Sequence, residues 1–342
     1  MRAALLRAFG PIDSITLEEV PAPVPGPDQV LIDVEIAPVN YVDLVIIAGR
    51  YQFLPTLPLI PGKGPVGVVS AIGCSVTNLR IGDRVLAMAE QGGYAEKVAV
   101  ASRECYLLPD AMPFEHAASM SLAYDTAWFA LCERARYTEG ETVLVLGASG
   151  AVGLAAVQIA KAFGAHVLAG IGRPANEARV RAAGADAVID LSAPDLHDGL
   201  REQVRAANAG RLANIVLDPL GGAVFDAAIR AVDWCGRLVV IGFAAGRVPQ
   251  IKANYLMVKN IEVSGLQISD YRKRQPEKLA RCFAELFKLY QLGALKPPMP
   301  VVYPLQQVVA ALAAVRDRSA HGRVVLEMRR EASQAPHERG AK

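Results

Sequence analysis

One uncharged stretch, residues 143–160, constrains the fold more than any other part of the chain. Residues 143–146 form a short apolar run typical of a buried parallel strand, and residues 147–153 form a glycine-rich turn. Residues 154–163 have helical periodicity, and residues 166–170 predict the next strand. A strand, a glycine turn and a helix in this order place backbone N–H groups and the positive end of the helix dipole where a pyrophosphate can bind.

Two other interpretations of this stretch are open. Its uncharged length would suffice for a membrane span, although three glycines, Ser149 and Gln158 interrupt it and Lys161 follows. A glycine turn can also serve only to pack a helix on a sheet, and Ala148 stands where the G-x-G-x-x-G motif has its first glycine. The strand-turn-helix context favours a dinucleotide-binding unit over both alternatives.

The chain around this unit has two kinds of pattern. Up to about residue 100 it is rich in Pro, Gly and short β-branched runs, which predicts a β domain. After a helical region near residues 114–134, strands and helices alternate, which predicts a parallel sheet with helices on both faces. Later helices are expected over residues 275–292 and 305–316, and a strand over 324–328 returns to the β domain. The polar tail, residues 329–342, is expected to be poorly ordered.

Composition excludes several classes of protein. The net charge of the 342 residues is +2 and the basic residues are scattered, so no nucleic-acid partner is expected. The first residues lack the apolar core of a secretory signal, and the five cysteines are too far apart for a disulfide framework. No His or Cys spacing suits a metal site. We therefore expect a cytoplasmic protein with no membrane partner and no bound metal.

Five stretches carry a resemblance to a known family. They begin at residues 39 (VNYVDLVIIAGRY), 61 (PGKGPVGVVSAIG), 82 (GDRVLAMAEQGGYAE), 143 (VLVLGASGAVGLAAVQIAKAFGA) and 217 (LDPLGGAVFDAAIRAVDWCGRLVVIGFAAG). Together they resemble the zinc-independent NADPH:quinone oxidoreductases of the medium-chain dehydrogenase/reductase superfamily. The resemblance implies an α/β fold in which a GroES-like β domain, residues 1–118 and 267–342, is interrupted by a Rossmann doubly wound parallel-sheet domain, residues 119–266.

The chain departs from the zinc-containing branch of that superfamily. Zinc alcohol dehydrogenases have a cysteine ligand near the position of Asn40 and Tyr41, and a Gly-His-Glu motif near Lys63 and Gly64. Neither ligand is present here, and the lobe with four cysteines around a structural zinc is missing. Without zinc as a Lewis acid, the resemblance favours electron-poor substrates, which are quinones or α,β-unsaturated carbonyls (enones).

The end of the second Rossmann strand predicts the cofactor. An acidic residue there binds the ribose of NAD, whereas small residues with a nearby cation leave room for the phosphate of NADP. The sequence continues with Gly172 and Arg173, and no acidic residue follows before Glu177. We therefore expect NADPH, with Arg173 as the phosphate partner and Arg179 as the second candidate. Asn176 stands where the family often has a lysine.

The resemblance also implies the residues of the site. Asn40 and Thr126 are expected at the nicotinamide end, and Tyr51, followed by Tyr41 and Asn40, is expected to act on the substrate. Either tyrosine can instead form an aromatic wall, and Asn40 can instead be a turn residue. The implied cofactor-binding residues are Asn40, Thr126, Gly150, Ala151, Val152, Gly172, Arg173, Asn176, Gly242, Phe243, Ala244 and Arg323.

Two other functions are compatible with the sequence. One is a reductase of enoyl or acryloyl coenzyme A thioesters, in which Arg272, Lys273 and Arg274 hold the phosphates; these three residues can also form a solvated turn. The other is an NADPH-binding protein without turnover. The family also implies a homodimer, paired through the edge of the Rossmann sheet near residues 261–266.

Overall fold

A computed structural model describes residues 1–320 and 322–328, which divide into two compact units. The first unit is Met1–Ser121 together with the described residues from Pro298 onward, and the second is Leu122–Pro297. The tail at residues 329–342, for which we expected poor order, lies outside the described residues.

The described residues contain fifteen strands and eleven α-helices. The strands of the first unit are β1 (Arg2–Leu6), β2 (Ile15–Glu19), β3 (Gln29–Val39), β4 (Val66–Ile72), β5 (Arg84–Ala87), β6 (Lys97–Ala101), β7 (Cys105–Leu107), β14 (Val301–Pro304) and β15 (Val324–Glu327). The strands of the second are β8 (Thr142–Val145), β9 (His166–Ile171), β10 (Ala187–Asp190), β11 (Ala213–Asp218), β12 (Val232–Val240) and β13 (Glu262–Gly265). The helices are α1 (Tyr41–Ile47), α2 (Phe114–Met120), α3 (Ala123–Trp128), α4 (Ala151–Ala162), α5 (Glu177–Ala182), α6 (Leu196–Ala207), α7 (Gly222–Ala228), α8 (Ala253–Lys259), α9 (Ile268–Arg274), α10 (Pro276–Gln291) and α11 (Val308–Arg316).

The first unit is a β domain organised around β3. This strand pairs antiparallel with β4, β6 and β15, so the late strand β15 returns beside it as the sequence predicts. The sheet has the order β14-β15-β3-β4-β5-β7, with β6 attached to β3. Alternate residues of β3, including Val30, Ile32 and Val34, are buried in the core, as expected of a strand with one covered face.

The second unit is a doubly wound parallel sheet. Its order is β10-β9-β8-β11-β12-β13, and all of these pairs are parallel. Numbered from its own first strand, the order is 3-2-1-4-5-6, which is that of the Rossmann fold. The predicted α/β fold class is confirmed. The winding reverses between β8 and β11, and ligands of such sheets bind beyond the carboxyl ends of the strands at this switch point.

The uncharged stretch is divided between two short elements. Its first residues form β8, and its later residues belong to α4, which has 12 residues. Within residues 1–320 and 322–328, no helix combines the length and the apolar character that crossing a bilayer requires.

Some boundaries differ from the predicted ones. Helix α4 begins at Ala151 rather than at residue 154, because Gly153 lies in its first turn and not before it. The helical region predicted over residues 114–134 is broken between α2 and α3, where Leu122 adopts a positive φ of 62°. Strand β1 was not predicted, because four of its five residues are buried and it lacks the alternation that identifies a half-buried strand.

Residues 267–297 belong to the second unit, whereas the sequence analysis placed them in the GroES-like domain. Side chains of α9 and α10 bind α3: Arg272 donates to Asp125 at 2.7 Å, and Trp128 Nε1 donates to Glu285 at 2.7 Å. The side chain of Gln158 in α4 donates to the carbonyl of Lys296 at 3.0 Å and accepts the N–H of the same residue at 2.8 Å. These contacts link residues more than a hundred positions apart, so the local pattern of the sequence does not reveal them.

The Asp125–Arg272 ion pair is completely buried, since the two side chains are 0% and 3% exposed. Removing one member of such a pair leaves the other charge buried and uncompensated. We therefore expect Asp125→Ala to lower the free energy of unfolding by about 3–5 kcal/mol in urea denaturation. The control Glu202→Ala, which breaks the exposed Arg205–Glu202 pair of α6, should cost less than about 0.5 kcal/mol. Equal losses in the two variants would contradict a stabilising role of the buried pair.

Candidate active site

The glycine turn after β8 is closely packed against the start of α4. A Cβ atom on Gly153 would lie 2.2 Å from the carbonyl oxygen of Gly147, and one on Gly150 would lie 3.3 Å from the same oxygen. Gly150 is the N-cap of α4 and offers no side chain to the first N–H groups of the helix. Those N–H groups have no partner within the helix, so the turn forms a concave cradle of backbone donors suited to an anion.

Ala148 departs from the glycine motif without disturbing this turn. The left-handed conformation falls on Gly147, whose φ is 59°, so Ala148 needs no positive φ. Ala148 is fully buried, and its N–H donates to the carbonyl of Gly170 at 2.9 Å. The methyl group therefore fits inside the unit and leaves the cradle open.

The segment after β9 leads into the same turn. Gly172 and Arg173 are exposed, and the Asn176 side-chain amide donates to the hydroxyl of Ser149 in the glycine turn at 3.2 Å. Glu177 lies in the first turn of α5, where it pairs with Arg181 at 2.7 Å. No carboxylate lies between the end of β9 and Glu177, which is the pattern that the sequence analysis interpreted as room for a phosphate.

Residues 242–244 follow β12 and lie beside the end of β11. The N–H of Ala244 donates to the carbonyl of Pro219 at 3.1 Å, and a Cβ on Gly221 would lie 3.1 Å from the Phe243 ring. A Cβ on Gly147 would lie 3.0 Å from Leu220, so the loop after β11 contacts both the glycine turn and residues 242–244 at the switch point of the sheet.

Thr126 is the remaining predicted residue of the second unit. It lies in α3, is 7% exposed, and donates its hydroxyl to the carbonyl of Leu122. The contacts described for Thr126 do not join it to the glycine turn.

In the first unit, Asn40 and Arg323 come together although 283 positions separate them. Arg323 Nη2 donates to Asn40 Oδ1 at 3.0 Å and to the carbonyl of Ser121 at 2.9 Å. Asn40 is 4% exposed and is the N-cap of α1. Asn40 is thus a cap residue, which agrees with its interpretation as a turn residue, and it is also part of a buried polar cluster. Its contact with the nicotinamide stays a prediction.

Asp43 is the buried carboxyl group of this cluster. Its Oδ2 accepts the backbone N–H of Asn40 at 2.9 Å and the hydroxyl of Tyr94 at 2.8 Å, while Oδ1 has no hydrogen-bond partner among the described residues. Burial raises the pKa of Asp43 to about 6, against the opposing effects of these hydrogen bonds and of Lys63. Burial also raises the pKa of Tyr94 well above its usual value, and the Asp43 charge adds to the effect. The proton of this pair therefore stays on Tyr94.

The two candidate tyrosines differ in environment. Tyr41, the first residue of α1, is 52% exposed. Tyr51 is half-buried and packs its ring edge-on against Phe53, with centroids 6.4 Å apart. The ammonium group of Lys63 lies 5.6 Å from the Tyr51 ring centroid, and Lys63 also forms an ion pair with Glu90.

Lys63, Asp43, Glu90 and Tyr94 were not among the predicted site residues. Asp43 had a local signal, since it lies three residues after the cap residue Asn40. Lys63 is flanked by Gly62 and Gly64, which both have positive φ. A charged residue between two glycines is therefore the local signal that could have identified this position. In the part of the chain that the structure describes, no three His, Cys, Asp or Glu side chains gather where they could hold a metal ion.

Comparisons with known proteins agree with this architecture. Residues 26–110 match the alcohol dehydrogenase GroES-like domain, and residues 151–285 match the family described as zinc-binding dehydrogenase. A quinone oxidoreductase-like protein 2 homolog of Nematostella vectensis is 34% identical over 88% of this chain and 82% of its own length. The chain belongs to the quinone oxidoreductase family of the medium-chain dehydrogenase/reductase superfamily.

Other members of this family are similar to this chain over nearly its whole length. The quinone oxidoreductase of Sus scrofa is 31% identical over 95% of this chain and 97% of its own length. The crystal structure of the Escherichia coli quinone oxidoreductase complexed with NADPH is 26% identical, with a TM-score of 0.86. That likeness covers 96% of this chain and all of the other, so it includes both units.

The glycine turn yields a prediction on stability. In Gly153→Ala the new methyl group meets backbone atoms, which cannot move aside, so we expect the free energy of unfolding to fall by about 1–3 kcal/mol in urea denaturation. The matched control is Gly199→Ala in α6, where a Cβ would meet nothing within 4 Å. This control should be neutral or stabilising by up to about 1 kcal/mol. Wild-type stability of Gly153→Ala would contradict the close packing of the turn.

The buried Asp43 yields a prediction on pH. Because its pKa in the folded protein, about 6, is above the usual value of 3.8, protonation of Asp43 favours the folded state. The full contribution to the free energy of unfolding is roughly 3 kcal/mol. It is complete below about pH 3.8 and is lost as the pH rises through about 6. Asp43→Asn keeps an acceptor oxygen without the charge. The free energy of unfolding of this variant, relative to that of the wild type, should therefore rise between pH 4 and pH 7.

Unfolding in urea at a series of pH values measures this difference. Asp28→Asn, at an exposed position, is the control and should follow the wild-type curve at every pH. Parallel curves for Asp43→Asn and the wild type would show that the buried carboxyl does not titrate in this range.

Proposed function

We propose that the protein is an NADPH-dependent oxidoreductase that transfers a hydride to a quinone or an enone without the help of zinc. The observation that carries the proposal is the glycine cradle at the switch point, with Gly172 and Arg173 directly after β9. A closely packed glycine turn that leaves the first N–H groups of α4 without partners in the helix, next to a strand end without a carboxylate, suits a dinucleotide with an extra phosphate.

Each part of the cofactor has candidate partners in the second unit. The N–H groups of Ala151 and Val152, after the cap residue Gly150, suit the pyrophosphate. Arg173, with Asn176 beside Ser149, suits the ribose phosphate, because a guanidinium offers a fork of donors. Gly242, Phe243 and Ala244, together with Thr126, are assigned to the nicotinamide end by the family resemblance. The NADPH complex of the Escherichia coli relative supports the choice of cofactor.

NADPH supplies a hydride when bound. Asn40 and Arg323 provide a fixed polar surface in the first unit, since each restrains the other through a buried hydrogen bond. Tyr51 is the candidate to hydrogen-bond the substrate oxygen or to relay the proton that follows the hydride, and Tyr41 is the second candidate. The reaction adds one hydride and one proton, which converts a quinone into a hydroquinone or an enone into a saturated ketone.

The structure offers less support for a coenzyme A thioester as substrate. Of the three basic residues considered as phosphate partners, Arg272 is 4% exposed and bound to Asp125. The run also forms the end of α9 rather than a solvated turn. Only Lys273 and Arg274 of this run are exposed, so the basic strip is shorter than the sequence suggested. We therefore place quinones and enones before thioesters.

A homodimer is part of the same proposal. Strand β13 lies at the edge of the six-stranded sheet, and its outer N–H and C=O groups can pair with the same strand of a second copy. Such a contact is isologous, because both copies use the same strand, and two-fold dimers with isologous contacts are the commonest symmetric oligomers.

A substrate panel tests the function. Oxidation of NADPH, followed by its absorbance, is expected with 1,4-quinones or enones and to be weaker with acryloyl-coenzyme A, and it should persist after dialysis against a chelator. NADPH binding without oxidation across the panel would identify a cofactor-binding protein without turnover. Loss of activity on metal removal would overturn the zinc-independent mechanism.

Arg173→Ala tests the choice of cofactor. A charge-assisted hydrogen bond is worth about 1.5–3 kcal/mol, so the KM for NADPH should rise by roughly 10- to 100-fold while kinetics with NADH stay the same. Arg181→Ala is the matched control, because Arg181 is an exposed arginine of α5 that pairs with Glu177. A wild type that prefers NADH, or equal effects of the two variants, would contradict the role of Arg173.

A further inference from the structure

Lys63 is a buried lysine. The residue is 3% exposed, whereas lysines are mostly at the surface unless paired. Its ion-pair partner Glu90 is 34% exposed in its side chain, so the pair has one buried member and one member that reaches solvent. Burying an ammonium group is costly even when the group is paired.

The backbone on both sides of Lys63 is fixed. Gly62 has a φ of 98°, and a Cβ there would lie 2.4 Å from the Tyr94 ring. Gly64 has a φ of 68°, and a Cβ there would lie 2.0 Å from Ser121 Oγ, which donates to the Gly64 carbonyl at 2.8 Å. Only glycine fits at either position, so the start of the Lys63 side chain is held in one place.

Lys63 adjoins the groups already assigned to the site. Its carbonyl accepts the side-chain amide of Asn40 at 3.5 Å, and its ammonium lies 5.6 Å from the Tyr51 ring centroid. Its charge also opposes the effect of burial on the pKa of Asp43. The Lys63 backbone thus contacts Asn40 and its ammonium lies near Tyr51, and these are two of the three residues expected to act on the substrate.

We propose that Lys63 is the cation that stabilises the negative charge formed on the carbonyl oxygen of the substrate, an inference that rests on the proposed function. The electron pair of the hydride forms the new C–H bond of a quinone or an enone, and the displaced π electron pair moves to the carbonyl oxygen. Lys63 donates a hydrogen bond to that oxygen and keeps its own proton. The proton that completes the product comes from water, directly or through Tyr51. It is added to the α-carbon of an enone, whereas a quinone adduct takes it up on oxygen and then tautomerises to the hydroquinone. A fixed charge aimed at a developing oxyanion lowers the barrier because it needs no reorganisation during the reaction.

A purely structural role for Lys63 makes a different prediction. If the lysine serves only to form the ion pair with Glu90, Lys63→Met and Glu90→Gln should change kcat to the same extent, because each breaks that pair. If Lys63 binds an oxyanion, Lys63→Met removes the function, whereas Glu90→Gln leaves the cation in place. The two variants therefore separate the roles.

The first test uses a ligand and needs no turnover. 4-Nitrophenol carries a phenolic oxygen like that of a hydroquinone, and its ionisation is visible in its absorption spectrum. Bound to the wild type without cofactor, its pKa should fall by at least about one unit, a tenfold preference for the phenolate. Lys63→Met should remove this shift, and Glu90→Gln should retain it. An unshifted pKa in the wild type, the same shift in Lys63→Met, or no binding at millimolar concentration would each overturn the proposal.

The second test is kinetic. With the substrate that gives the highest turnover, kcat of Lys63→Met should fall by about 10- to 100-fold, the value of a hydrogen bond from a charged group. The dissociation constant of NADPH should stay within twofold. Lys97→Met, which removes the partly exposed lysine paired with Asp33 in the same unit, is the control and should keep wild-type kcat.

The outcomes distinguish the inference from the proposed function. A phenolate shift that depends on Lys63 in a protein that reduces nothing would refute the hydride-transfer function and leave the oxyanion site. Wild-type kcat in Lys63→Met, or equal losses in Lys63→Met and Glu90→Gln, would overturn the role of Lys63 in an active enzyme. Thermal unfolding of each variant verifies that it is folded before either test.

Discussion

The approach of Gly153 to the carbonyl of Gly147 is the constraint on which the second unit depends. It brings the start of α4 against the end of β8, so that the helix crosses the sheet at the switch point and its first N–H groups are left free for an anion. Because β8 lies between β9 and β11 in the order of strands, the segments after β9 and β11 lie next to this turn. Asn176 and Leu220, from two of these segments, both contact it.

The first unit depends on a different constraint, which is the burial of charged groups beside one another. Asp43, Lys63 and Arg323 are each less than a tenth exposed, and the contacts among their neighbours connect them through Asn40. The raised pKa of Asp43 shows that burial outweighs the favourable hydrogen bonds to its carboxylate. A core made only of apolar residues would be easier to form, so this cluster is a candidate functional site.

Much of the fold could be predicted from the sequence, because local patterns carry it. The alternation of strands and helices after residue 140 predicted the parallel sheet, and the elements predicted there are present with shifts of a few residues at their ends. The site was predicted less completely. Asn40, Tyr51 and Arg323 were predicted from the family resemblance and stay predictions, whereas Lys63 and Glu90 become neighbours only through the folding of two loops. No periodicity marks such a pair, since its members lie 27 positions apart outside any helix or strand.

The sequence by itself determined the fold class, the position of the glycine turn and the absence of an acidic residue between β9 and Glu177, because each depends on residues close together in the chain. Only the tertiary structure decided that Gly147, rather than Ala148, takes the left-handed conformation, and that Arg272 is bound to Asp125 instead of facing solvent. It also assigned residues 267–297 to the second unit. These outcomes depend on contacts between distant residues, where burial and the pairing of charges outweigh local preference.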